Sequence, residues 1–210
     1  MKNTLLQVRD LDIGYKGNIL YKSVSFDINE GDCIMLCGAN GSGKTTLMKA
    51  LTCSSDNICM IPTRIPKVKG FTAEEFIKLG CEGHDVIEAA EALGLKRLLH
   101  QDISTLSDGE FQKACIAIAL AKKVSIILLD EPTAFLDAEN RRIVLLCLKR
   151  LCSMGTPAPA VIFSTHELHE AKAVCNKVIA LGADGIFRCT SDNITAVVDT
   201  IFSSSKMDLI

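Results

Sequence analysis

Nine consecutive residues, Gly38-Ala39-Asn40-Gly41-Ser42-Gly43-Lys44-Thr45-Thr46, restrict the fold of this chain more than any other stretch. Cys33-Ile34-Met35-Leu36-Cys37 before them is a short apolar run of the kind that forms a buried strand. Thr46-Leu47-Met48-Lys49-Ala50-Leu51 after them combines helix formers with an apolar face. Strand, glycine-rich turn and helix in this order match the P-loop pattern G-x-x-x-x-G-K-[ST] at every fixed position. Glycines let the backbone close around phosphate oxygens, and the N–H groups at the helix start point at the anion. In that pattern Lys44 reaches the β/γ-phosphates and the Thr45 hydroxyl sits on Mg²⁺. The bland alternative is a plain glycine-rich turn between a strand and a helix.

The rest of the chain supplies the surroundings such a loop requires. Residues 4–15 and 19–29 each alternate around a turn at Gly14-Tyr15-Lys16-Gly17-Asn18, which predicts two antiparallel strands ahead of the buried one. Asn57-Ile58-Cys59-Met60-Ile61 is a short strand candidate running into the proline-rich loop Pro62-Thr63-Arg64-Ile65-Pro66. Thr72 followed by Glu75 opens a helix as a capping box, a break is expected over Gly80 to Asp85, and helical periodicity returns from Val86 to His100. Leu106-Ser107-Asp108-Gly109-Glu110-Phe111-Gln112-Lys113 then starts a long helix through Ala121, so about 70–120 reads as a helical lobe. Asp137 is placed to N-cap a helix to Cys152, Lys177 to Leu181 and Ile186 to Cys189 read as strands about a Gly-Ala-Asp-Gly turn, and Asn193 to Phe202 reads as a helix.

Two further apolar runs end in polar groups. Val124-Ser125-Ile126-Ile127-Leu128-Leu129 ends in Asp130-Glu131, and Ala160-Val161-Ile162-Phe163-Ser164-Thr165 ends at His166. Unbroken apolar runs fit central parallel strands, and open α/β sheets hold ligands at the carboxyl ends of such strands. Asp130 can then hold Mg²⁺, Glu131 can orient and deprotonate an attacking water, and His166 can touch a γ-phosphate. Each has an ordinary structural explanation when taken singly. His84, His100 and His169 lack any such context.

Length and charge narrow the function classes. With 210 residues, the chain has room for a substantial core in one domain, and a net charge of −2 gives no reason to expect nucleic acid as a partner. No run approaches the ~18–20 apolar residues of a membrane span, and the first ten residues lack a signal-peptide apolar segment, so neither secretion nor a span is expected. Ten cysteines without a C-x-x-C pair, most of them inside apolar patterns, read as reduced core thiols of a cytoplasmic protein.

The order of these motifs resembles the ATP-binding subunit of ABC transporters over nearly the whole chain. The resemblance rests on Tyr15 as an adenine-stacking aromatic, Gly38 to Thr46 as Walker A and Leu106 to Lys113 as the signature. It continues with Ile126 to Glu131 as Walker B, Ala134 to Asp137 as the aspartate-containing loop, and His166 as the switch histidine. It implies one α/β P-loop ATPase domain over 1–210, with a mostly parallel central sheet, a reduced antiparallel β lobe and a helical insertion. It also implies ATP and Mg²⁺ as ligands, and a head-to-tail homodimer with two ATP molecules between the copies. Ser107 and Gly109 of one copy would then meet the γ-phosphate held by Gly41, Gly43, Lys44 and Thr45 of the other. Permease subunits would be separate membrane polypeptides, with the ATPase peripheral on the inner face of the cell membrane.

Three departures carry information. The signature reads Leu-Ser-Asp-Gly-Glu instead of the commoner Leu-Ser-Gly-Gly-Gln, wording similar to relatives that import iron chelates, haem or cobalamin. Thr63 stands where the family's glutamine normally helps hold Mg²⁺ and links the site to the permease; it keeps an oxygen but has less reach. From Lys44 to Thr63 is only 19 positions, short for the family. An importer of such a metal cofactor is the expectation. The alternatives are a compact haem-exporter type or a degenerate nucleotide-binding regulatory subunit. A nucleic-acid repair clamp would carry a long insertion between Walker A and signature, which this chain lacks.

Overall fold

A computed structural model describes residues 3–15, 17–81, 86–155, 157–182 and 187–191, with Ile194 and Ala196. The turn expected after Gly182 and nearly all of the helix expected from Asn193 to Phe202 lie outside those residues. The two alternating segments pair as β1 (Thr4–Tyr15) and β2 (Asn18–Asn29) in an antiparallel two-stranded sheet. Their buried positions, among them Val8, Ile13, Val24, Phe26 and Ile28, form one face, as alternation demands. This is the whole of the antiparallel lobe seen among the described residues.

The central sheet has the order β4 (Ile58–Ile61), β5 (Ile126–Leu129), β6 (Ala160–Ser164), β3 (Cys33–Gly38), β7 (Lys177–Leu181) and β8 (Phe187–Thr190). The first five are parallel, and β8 closes the edge antiparallel to β7. β3, β5 and β6 are buried at every residue because both faces of the sheet are covered. Cys33, Met35 and Cys37 of β3 face the core shared with the helical lobe, while Ile34 and Leu36 face the β1–β2 side and α1 (Lys44–Thr52). Full burial of one such aliphatic side chain contributes about 1.5–3 kcal/mol, so these strands hold their places firmly.

The helical lobe consists of α2 (Ala73–Cys81), α3 (Val86–Ala92) and α4 (Asp108–Ala121), with two 3-10 turns between α3 and α4. The expected capping box forms, Thr72 exchanging hydrogen bonds with Glu75, and Ser107 forms a second one with Glu110. Two boundaries differ from the sequence expectation. Gly80 lies inside α2, because a side chain there would run into Ile118 of α4 and its absence lets the helices approach closely. The helix expected through His100 stops at Ala92, where Gly94 at φ 72° turns the backbone and only the 3-10 turn Lys96–Leu98 follows. Helix α5 (Ala138–Leu151), capped by Asp137 as expected, leads back to the sheet, and the short α6 (Leu168–Lys172) follows β6.

Of the cysteines, Cys33, Cys37, Cys81, Cys115 and Cys152 are buried free thiols, while Cys53 is exposed. Burial pushes the Cys37 and Cys115 thiols up to about 12, which makes them poor nucleophiles. Among the described residues, no helix is long and apolar enough to cross a membrane.

Candidate functional site

The sheet order brings the three strand ends together, because β5, β6 and β3 are neighbours and parallel. Gly43 caps α1 in the left-handed region at φ 96°, leaving the first amides of a nine-residue helix at the loop. Lys44 is buried, and its Nζ donates to the carbonyls of Gly38 (2.9 Å) and Ala39 (3.0 Å). The lysine thus bridges the loop backbone from inside. Its burial lowers the ammonium pKa below the usual lysine value, an effect opposed by the nearby carboxylates of Glu131 and Asp130. Ser42 Oγ is buried with no hydrogen-bond partner, and Asn40 and Gly41 are exposed at the loop. An unpartnered hydroxyl beside helix-start amides and a lysine is a donor set suited to a polyphosphate.

On the facing strands, Asp130 is buried and accepts two bonds. Thr45 Oγ1 donates to its Oδ2 at 2.8 Å, and Ser164 Oγ donates to its Oδ1 at 2.8 Å. The same Ser164 oxygen accepts from the Glu131 N–H at 2.8 Å. Glu131 has φ 51°, a region costly for a residue with a side chain, and that bond helps to hold it there. His166 Nε2 lies 2.7 Å from Glu131 Oε1. Glu131, Thr165, His166 and Arg141 line a cavity of about 180 Å³. A hydroxyl and a carboxylate side by side, as in Thr45 and Asp130, are the hard oxygen donors that Mg²⁺ favours.

Other sequence-selected residues sit apart from this cluster. Ser107 N-caps α4, with its hydroxyl donating to Glu110 Oε2 at 2.7 Å, and these bonds hold the Glu110 carboxyl below its usual range. Gly109 packs on Asn140 of α5. Asp137 spends its carboxylate on the N–H and side-chain amide of Asn140. Thr46 lies in the first turn of α1, and Tyr15 is 64% exposed at the end of β1. Thr63 lines a second cavity of about 450 Å³ with Arg64, Lys67, Phe111 and Phe135. Within it, the Arg64 guanidinium carbon stands 4.8 Å from the centre of the Phe135 ring.

Sequence reasoning passed over Ser164, Lys67 and Asn140. Ser164 carries a signal, a polar residue at the end of an otherwise apolar strand two positions before His166. Lys67 carries none, since Asp108 lies 41 positions on, and neither does the packing of Asn140 against Gly109, which lies on another helix.

Residues 21–59 and 54–134 match the ABC transporter family, together more than half of the chain. The chain is also 30% identical to the molybdate import ATP-binding protein MolC of Haemophilus influenzae, over 93% of this chain and 88% of that protein. The chain belongs to the ABC transporter family. As an ABC ATP-binding subunit it binds and hydrolyses ATP. An inward-facing transporter described as metal-chelate type has a chain with TM-score 0.83 and 26% identity, covering 96% of this chain and 90% of its own. The dimeric ABC cassette MJ0796, solved with ADP and Pi, shares the fold at TM-score 0.69 and 22% identity, covering 88% of this chain and 97% of its own.

Proposed function

We propose that this ABC subunit drives a membrane importer for an iron chelate, haem or a cobalamin-like cargo. It does so as a homodimer holding two ATP molecules, with Mg²⁺ on Thr45 and Asp130, from the cytoplasmic face of the cell membrane. The observation that carries the ATPase half is the joining of three strand ends through Thr45–Asp130 (2.8 Å), Ser164 and Glu131–His166 (2.7 Å). Thr45 and Asp130 would hold Mg²⁺, which would supply positive charge to offset the charge that develops on the phosphates.

This chain's own groups do the rest. Lys44 exchanges its two loop carbonyls for phosphate oxygens, joined by Ser42 and the α1 amides. Glu131 accepts the proton of the water that attacks the γ-phosphorus as the bond to ADP breaks, and His166 orients that carboxylate and faces the γ-phosphate. Tyr15 stacks on adenine. Ser107 and Gly109 of the second copy close over the nucleotide, with Asp137 at the seam. Hydrolysis releases the pair and passes the motion to separate permease subunits.

The importer reading is supported by the relative described as a molybdate import ATP-binding protein, and the cargo by a solved neighbour described as metal-chelate type and the Leu-Ser-Asp-Gly-Glu wording. Mg²⁺-dependent ATP turnover tests the catalytic part. Glu131→Gln is expected to lower it at least about 100-fold, and a variant as fast as the parent removes Glu131 from the chemistry. Growth of a deletion strain on an iron chelate, haem or cobalamin as limiting source tests the cargo. Unimpaired growth on all three opposes it.

A further inference from the structure

The first turn of α4 carries two carboxylates, Asp108 and Glu110, on either side of Gly109 and next to Ser107. Acidic groups suit a helix start, yet they repel an incoming polyphosphate. Glu110 is engaged by its own capping box with Ser107. Asp108, two-thirds exposed, has its partner on a distant loop: Lys67 Nζ lies 2.7 Å from Asp108 Oδ1.

The same ammonium donates to the Leu106 carbonyl at 2.8 Å and stands 5.4 Å from the centre of the Phe111 ring. Lys67 thus holds the residue before Ser107, the residue after it, and an aromatic two positions beyond Gly109. The loop that carries it is stitched to the lead-in of α4. Gly70 N–H donates to Asp102 Oδ2 at 3.0 Å, Ile103 N–H to the Phe71 carbonyl at 2.8 Å, and Ala73 N–H to the Gln101 carbonyl at 2.9 Å. A lone surface ion pair contributes little. Here the ammonium engages three groups at once, is only 27% exposed, and extends from a loop already fixed by backbone bonds.

We propose that Lys67 is a positioning residue of the ATPase reaction: it clamps the start of α4 through the Leu106 carbonyl and cancels the Asp108 charge, so that Ser107 and Gly109 can receive the γ-phosphate held by a second copy. The proposal rests on the paired-copy reading given above. It also explains how a signature with aspartate where glycine is commoner stays usable: the carboxylate comes with its own counter-ion.

The test uses Glu131→Gln protein, in which ATP is not consumed, and follows the Mg-ATP concentration that half-converts monomer to dimer by light scattering. Lys67→Met raises that midpoint about tenfold, the size expected for removing a charge-assisted hydrogen bond, and Lys67→Arg stays within about threefold because the charge remains. Adding Asp108→Gly to Lys67→Met brings the midpoint back toward the parent's, while thermal midpoints of all variants stay close together. An unmoved midpoint in Lys67→Met, with a parent that dimerises, overturns the proposal alone. A raised midpoint that Asp108→Gly leaves uncorrected overturns the charge-cancelling role. A parent that never dimerises overturns the paired-copy reading, and this proposal with it. Should Lys67→Met not fold, Lys67→Gln decides, since it keeps a donor for the Leu106 carbonyl but loses the charge: its midpoint rises if the ammonium cancels Asp108, and an unmoved midpoint overturns the proposal.

Discussion

His166 holds its Nε2 2.7 Å from Oε1 of Glu131, and the two residues follow neighbouring parallel strands, β6 and β5. The sheet therefore sets their separation, with the Ser164 bond to the Glu131 N–H fixing the second residue's backbone. His166→Ala leaves the carboxylate in place but unoriented. We expect kcat for ATP to fall about 100- to 1,000-fold, with KM changed less than about threefold, in steady-state turnover. A loss confined to KM would make His166 a binding residue instead.

Thr45 donates its hydroxyl to Asp130 at 2.8 Å, so the pair contributes to the fold as well as to the proposed Mg²⁺ site. Thr45→Val leaves Asp130 with only the Ser164 bond, at a cost of about 1 kcal/mol. That corresponds to a fall in thermal midpoint of about 2–4 °C for a chain of this size. The Mg²⁺ concentration for half-maximal ATPase activity should rise at the same time, about tenfold. A variant with the stability loss and an unchanged Mg²⁺ requirement would remove Thr45 from the metal site.

Lys44 gives the site a pH dependence of defined sign. Burial lowers its pKa in the folded chain below 10.5, so between the two values the unfolded chain holds a proton that the folded chain lacks. Stability from this group therefore rises with pH: the penalty is full below the folded pKa and is gone above the unfolded one. Thermal midpoints measured as the pH is raised toward 10.5 should rise in the parent relative to Lys44→Met. Saturating Mg-ATP should flatten that difference, since phosphate favours the ammonium.

Gly109 owes its identity partly to packing. A Cβ there would stand 2.4 Å from Asn140 Oδ1, and Asn140 is tied to Asp137 by bonds of 2.8 and 3.0 Å. Gly109→Ala should cost about 1–3 kcal/mol from overpacking, read as a lower thermal midpoint. Asn140→Ala in the same chain should recover most of it. Failure to recover would place the strain elsewhere in α4.

These relationships differ in how far the sequence reveals them. The phosphate loop, the carboxylates after β5, His166, the Thr72–Glu75 capping box and the Asp137 cap depend on neighbours a few residues away, so local pattern finds them. The bonds of Ser164 with Asp130 and Glu131 span more than 30 positions and exist only because β5 and β6 pair. Lys67 reaches Asp108 across 41 positions. Gly80 reads as a helix breaker in isolation because the Ile118 side chain that excludes a Cβ belongs to α4. Local chemistry is legible in the chain, and what tertiary packing alone creates is not.

Light scattering on Glu131→Gln protein, with and without Mg-ATP, tests the central claim most directly. The account predicts the 22.7 kDa monomer without nucleotide and twice that mass with Mg-ATP, because both halves of the composite site persist while the water-activating carboxylate is gone. A mass that stays monomeric while ATP binds would contradict it.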